Sequence, residues 1–290
     1  MRSAILYVCS VVRLMKNAIS FDIEDWFQVE NLRSVVRRED WDKFELRVER
    51  NTRIILRLLA EHQTHATFFV LGWIAERCPS LVKEIDGEGH EIASHGYSHK
   101  LIYEMSPDEF REDISRSKEI LEKLIGKRII GYRAPSFTIV KDTLWAVDIL
   151  KECGFEYDSS IFPISFHDRY GFNGVSAESF FFENGLMEIP LSTIQIGKWR
   201  LPLGGGGYFR IFPYQYFHLG FKRLNRAKKG VVFYLHPWEI DGDQPQMFPA
   251  RLLRIRHYTN LTKTEERLNR LLKNFSFWPI NQAINSNGHP

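Results

Sequence analysis

Short apolar runs, each ending on a polar or charged cluster and separated by stretches of helical periodicity, recur along this 290-residue chain. Residues 17–23 and 66–71 read as buried strands, being apolar, bounded and too short for helices, and 89–93, 129–132, 155–157, 188–190 and 231–235 read as further short strands. Between them, 45–62 carries Leu46, Ile54, Ile55, Leu58 and Leu59 at helical spacing. Pro79 opens a short helix ending near Gly87. Ser106-Pro107-Asp108-Glu109 is a capping box with proline at the first helical position, and Gly126 stops the helix behind it. A further helix spans about 143–153. Strand-then-helix alternation of this kind predicts an α/β fold with parallel strands. Asp22 and Asp25, His95 and His99, Arg133, Asp158 and His236 each stand at or just beyond a strand's C-terminal end. That is the face on which barrel active sites assemble. The expected architecture is a distorted (β/α) barrel of about seven parallel strands over residues 17–240.

The stretch Ser94-His95-Gly96-Tyr97-Ser98-His99 holds two histidines four residues apart, a spacing that lets both imidazoles reach one point. The pattern alone equally describes a polar loop whose histidines hydrogen-bond. Its position after a strand, with the carboxylate cluster Asp22-Ile23-Glu24-Asp25 at the end of an earlier one, favours a metal site. Two histidines and a carboxylate leave open positions, as a catalytic Zn²⁺ or similar divalent ion requires.

A net charge of +3 is too small to argue for nucleic acid or a membrane surface as a partner. Hydrophobic content of 44% suffices for a core, and Cys9, Cys78 and Cys153 form no disulfide framework or paired metal motif. The apolar run at 3–12 is too short to span a bilayer and lacks a small-x-small cleavage site. Residues 1–16 are therefore expected to be a weak extension, with Met1 or Met15 as the start, and no signal peptide or transmembrane segment. Four glycines at Gly204–Gly207 lack the features of a phosphate loop and are expected to make a tight turn, or else a cleft wall. After Asp241 the pattern loosens. A final amphipathic helix with the capping box Thr262…Glu265 then presents Leu268, Leu271 and Leu272, so 241–290 reads as an extension packed on the barrel.

Five motifs in order resemble the polysaccharide deacetylases (NodB homology, carbohydrate esterase family four) over about Asn17–Glu239. They are Ser20-Phe21-Asp22-Ile23-Glu24-Asp25, Ser94-His95-Gly96-Tyr97-Ser98-His99, Arg133-Ala134-Pro135, Asp158-Ser159-Ser160 and Leu235-His236-Pro237. The Asp-x-Glu-Asp form, Ile161-Phe162-Pro163, His236-Pro237-Trp238-Glu239 and the C-terminal extension look most like the exosortase-associated members. The resemblance implies Asp22 as general base, Arg133 as its partner, and His236 as general acid oriented by Asp158. It also implies a metal on His95, His99 and an aspartate, and an oxyanion contact from the Ser136 N–H. The first motif departs from the usual adjacent aspartates. Strand alternation puts Asp22 and Glu24 on one face, whereas a bend after Ile23 would bring Asp25 inward. The family's preference for aspartate favours Asp25.

The function so implied is metal-dependent removal of N-acetyl groups from the hexosamines of a bacterial polysaccharide, an exopolysaccharide being the expected substrate. An allantoinase-like cyclic amide hydrolase of the same fold and a non-catalytic glycan-binding module are the alternatives. A glycan is the expected partner, and a cytoplasmic or membrane-peripheral location is expected.

Overall fold

The computed structural model describes residues 11–12, 14, 16–164, 171–172, 174–248 and 250–284. The extension expected over 1–16 falls largely outside them. Eleven strands are β1 (Val11–Val12), β2 (Ala18–Ile23), β3 (Thr67–Val70), β4 (Glu91–Ser94), β5 (Gly131–Tyr132), β6 (Tyr157–Asp158), β7 (Ser179–Phe181), β8 (Met187–Glu188), β9 (Thr193–Ile196), β10 (Trp199–Pro202) and β11 (Val232–Leu235). Nine form one sheet, in the order β1-β7-β8-β6-β5-β4-β3-β2-β11. From β11 to β8 every neighbouring pair is parallel, which makes the seven parallel strands that the alternation predicts. β7 and β1 add antiparallel pairs at the far edge, and β9–β10 is a separate hairpin.

The helices are α1 (Val48–Glu61), α2 (Gly72–Arg77), α3 (Pro79–Gly87), α4 (Pro107–Ile125), α5 (Trp145–Glu152), α6 (Gly207–Ile211), α7 (Tyr214–Arg226), α8 (Arg251–Tyr258), α9 (Leu261–Asn274) and α10 (Ile280–Ile284). The box predicted for α4 is formed: the Glu109 N–H donates to Ser106 Oγ and the Ser106 N–H to Glu109 Oε2. Gly126 follows in the left-handed conformation, where the missing Cβ removes the steric penalty. The box expected for α9 is absent. That helix begins two residues earlier than the box requires, at Leu261, behind a left-handed Asn260 with no side-chain cap.

No regular strand joins β8 to β11. Irregular backbone on either side of the β9–β10 hairpin, at Ser192 and Gly204–Gly206, lies along β11 instead. The Ser192 N–H donates to the Val232 carbonyl, Tyr234 N–H to the Gly204 carbonyl and Gly206 N–H to the Tyr234 carbonyl. Here the glycine run has its physical reason. A Cβ on Gly205 would stand 2.1 Å from the Tyr234 carbonyl oxygen, and one on Gly206 would stand 2.2 Å from the Tyr234 hydroxyl. The barrel is distorted because backbone laid against β11 replaces an eighth strand.

The segment after Asp241 reaches both ends of the curled sheet. α9 packs on the turn at Pro237–Ile240, and Trp278 bonds to both neighbours of Ala18, accepting from Ile19 N–H and donating to the Asn17 carbonyl. Beneath the N-terminal ends of β3 and β4, Ile280 N–H donates to Thr67 Oγ1 and Asn281 N–H to Glu91 Oε2. Glu91 is buried there, accepting also from Thr67 and Tyr157.

Candidate active site

β2 is buried along its whole length and delivers Asp22 and Glu24 to the barrel mouth. The Glu24 N–H donates to the Asp22 carbonyl, a tight local turn that keeps both carboxylates on the same side. Glu24 Oε1 lies 3.3 Å from His95 Nε2, 3.2 Å from His99 Nε2 and 3.4 Å from His236 Nε2. His95 follows β4 directly. His99 closes the same loop in a left-handed conformation that turns its ring back toward His95.

Asp25 does not join them. Its carboxylate caps α1, accepting from the backbone N–H groups of Arg47 and Val48 at 2.7 and 2.9 Å, and from Trp26 N–H. Burial lifts its pKa to about 6 against the pull of those three donors. The ligand expectation placed on Asp25 therefore passes to Glu24. Alternation along β2 wins over a bend, and the orphan N–H groups of a helix start claim the odd residue.

The residues fit a cation. His95 Nδ1 lies 2.8 Å from the Arg133 carbonyl, which only accepts, so Nδ1 carries the proton. In the neutral ring Nε2 is then a lone pair facing a carboxylate oxygen. His99 Nε2 is buried without a hydrogen-bond partner. Two nitrogen lone pairs and a carboxylate converging on one buried point are the donor set of a borderline metal such as Zn²⁺. Burial works against ionisation of Glu24, but His99, His236 and His95 hold its carboxyl well below the usual range.

Arg133 is fully buried. Its Nη1 donates to Asp22 Oδ1 at 2.7 Å and to Ser20 Oγ at 2.8 Å. Its Nε and Nη2 bond to the carbonyl and hydroxyl of Ser159, and its plane lies over Phe69. The guanidinium thus fixes one Asp22 oxygen and leaves Oδ2 toward the cleft, 3.9 Å from His236 Nε2.

Asp158 does not reach His236. It stands in register with Glu188 on β8 and accepts from Ser160 Oγ, which in turn accepts from Ala134 N–H. Burial raises both carboxyls of this pair, and the like charge of Asp158 pushes Glu188 up further. Asp158 therefore braces the Arg133-Ala134-Pro135 loop.

Glu239 takes the place beside His236. Its Oε2 lies 2.8 Å from His236 Nδ1, while Oε1 accepts from Arg210 Nε at 2.7 Å. Burial opposes the imidazolium, but the carboxylates of Glu24 and Glu239 outweigh it and lift His236 to about 10. Arg210 is itself buried and donates to the carbonyls of Arg256, His257 and Thr259. Trp238 stacks between His236 and His257. Glu239 has a sequence signal, three residues after His236 across a turn opened by Pro237. Arg210 has none, because only the fold brings α6 beneath that turn.

Asp22, Glu24, His99, His236 and Glu239 line one cleft at the C-terminal ends of the strands, walled by Asn31, Tyr208, Ile211, Tyr234 and Arg256. Ser136 is on its rim and, with Phe137, takes a left-handed conformation that turns the loop backbone sharply.

A family model described as polysaccharide deacetylase matches residues 41–157, and one described as a domain of unknown function, DUF3473, matches 159–285. The boundary between them falls between neighbouring strands of a single sheet. A peptidoglycan-N-acetylglucosamine deacetylase of Bacillus cereus is 41% identical over 95 residues, covering 32% of this chain and 34% of its own length. A peptidoglycan deacetylase of Helicobacter pylori is 31% identical over 116 residues, covering 40% of this chain and 39% of its own length. The chain thus spans little more than a third of these curated relatives. Among solved structures, a protein assigned to the polysaccharide deacetylases from Mycobacterium smegmatis superposes with a TM-score of 0.60 at 19% identity, covering 96% of this chain and 93% of that one. A peptidoglycan N-acetylglucosamine deacetylase does so with a TM-score of 0.53 at 19% identity, covering 95% and 91%. The family-model match over residues 41–157, which carry His95 and His99, and a fold shared over nearly the whole chain make this chain similar to the polysaccharide deacetylases.

Proposed function

We propose that this protein is a metal-dependent deacetylase that hydrolyses the N-acetyl groups of hexosamine units in a polysaccharide. The observation that carries the reading is the convergence of Glu24, His95 and His99 between Asp22, braced by Arg133, and His236, braced by Glu239. A divalent ion on Glu24, His95 and His99, Zn²⁺ being the best match to that donor set, supplies Lewis acidity toward the acetyl carbonyl and acidifies water. Asp22 Oδ2 takes the proton of the attacking water as general base. Arg133 holds that carboxylate in place through its other oxygen. To the Ser136 backbone N–H, from a loop that lines the cleft, we assign support of the developing oxyanion. As the C–N bond breaks, protonated His236 gives its Nε2 proton to the departing amine, so acetate and a free amino sugar leave. Glu239 holds the ring by Nδ1, which keeps Nε2 toward the cleft.

The polymer we favour is an exopolysaccharide, on the motifs shared with exosortase-associated deacetylases. The names of the Bacillus and Helicobacter relatives make peptidoglycan fragments the comparison substrate. The test is acetate release from a panel of N-acetylated oligosaccharides, with and without chelator, alongside metal analysis. Release that survives complete removal of metal would overturn the metal-dependent reading. Absence of release from every glycan in a metal-loaded protein would remove the deacetylase reading itself.

A further inference from the structure

Among the large apolar side chains left exposed in the described residues, the two most exposed are Leu252 and Phe248, at 72% and 70%. Ile255, at 54%, lies one turn from Leu252 on the same face of α8. Arg251 and Arg254 occupy the adjoining exposed strip, and the Arg254 guanidinium lies over the Phe248 ring. No acidic residue occurs between Asp243 and Glu265, so the segment that carries the patch brings only positive charge to it, and Glu30 is the carboxylate on the turn packed against α8.

The underside of this element is fixed. Three carbonyls of 256–259 accept from buried Arg210, and His257 bonds to Gln244 and stacks on Trp238. The Tyr258 hydroxyl accepts from Met247 N–H. The exposed side chains are therefore held out by a rigid base. α8 also packs on the turn at Glu30–Leu32 and on α6, two walls of the cleft.

We infer that the 248–255 surface is a docking site for an anionic lipid bilayer, which seats the mouth of the cleft beside the membrane. An apolar strip flanked by arginines, on an element that itself carries no carboxylate, is what insertion at a headgroup boundary requires. A protein partner covering the same patch would need acidic groups facing Arg251 and Arg254; the bilayer supplies them as phosphates. The inference stands apart from the deacetylase reading, because docking needs none of the cleft residues.

The test is co-sedimentation of the full chain with vesicles of phosphatidylcholine alone and of phosphatidylcholine mixed with phosphatidylglycerol. Binding is expected only to the anionic vesicles and should fall as salt rises. Phe248→Ser/Leu252→Ser/Ile255→Ser and, separately, Arg251→Gln/Arg254→Gln should each weaken it at least about tenfold. Leu219→Ser, which removes a comparably exposed side chain from α7, should leave it unchanged. All these positions are exposed, so thermal melting should report an intact fold. Failure of the wild-type chain to bind anionic vesicles would overturn the inference. So would equal loss in the Leu219 variant, or self-association that the triple variant abolishes while vesicle binding persists.

Discussion

Glu239 Oε2 sits 2.8 Å from His236 Nδ1, and its other oxygen is held by buried Arg210, so the orienting carboxylate of the candidate acid lies three residues along the same turn. Glu239→Gln removes a charge that raises His236. The basic limb of the pH–rate profile should move to lower pH, and the rate at alkaline pH should fall at least about tenfold while metal stays bound. Asp158→Asn should leave that limb in place, since Asp158 faces Glu188 and Ser160. A limb that shifts in the Asp158 variant and not in the Glu239 variant would reverse the assignment.

Glu24 and Asp25 should separate metal binding from stability. Glu24→Gln is expected to lose bound metal with little change in thermal stability. Asp25→Asn should keep metal but destabilise the protein by about 1–2 kcal/mol, as loss of an N-terminal helix cap does. Metal analysis and melting of the two purified variants decide the matter.

His95→Ala and His99→Ala should each lose metal and activity with the fold intact, because the apolar core is built from other residues. Full metal occupancy in both variants would dismiss the site.

Asp22→Asn preserves shape and the contact to Arg133 but removes the base. Metal should remain bound and the rate should drop at least about a hundredfold. A smaller loss would mean that another group takes the water's proton.

Glu91 offers a test away from the cleft. Burial raises its pKa to about 7, against the pull of Thr67, Asn281 and Tyr157. A carboxyl whose folded pKa exceeds its unfolded value near 4.5 contributes stability that is complete below the unfolded value. That contribution is lost as pH rises through about 7. Between pH 4 and 8 the wild-type protein should therefore lose more stability than Glu91→Gln, by a margin of up to about 3 kcal/mol. Parallel melting curves for the two proteins across that range would remove the claim.

Much of this was legible before the fold was known, because strand ends and ligand spacing are local properties. The run at 17–23, the pair His95 and His99, and the capping box at Ser106 and Glu109 follow from adjacent residues alone. The choice between Glu24 and Asp25 turned on what else the chain offers an aspartate. The start of α1, more than twenty residues away, claims Asp25, and no local pattern announces that contact. Asp158 was misplaced for the same reason, since its partner Glu188 arrives from a strand whose register only the assembled sheet defines. Arg210 was invisible because a buried arginine and a surface one look alike in sequence.

The hydrogen bonds from Trp278, Ile280 and Asn281 to the bases of β2, β3 and β4 also carry a consequence for the order of folding. These residues leave the ribosome after all the strands they join, so the first-made half of the chain waits for its floor until synthesis has passed residue 281. Until then Thr67 and Glu91 lack partners that the finished protein provides. Nascent chains halted before residue 278 should remain protease-sensitive in the segment 66–94, and the same segment should become resistant once 278–284 has emerged.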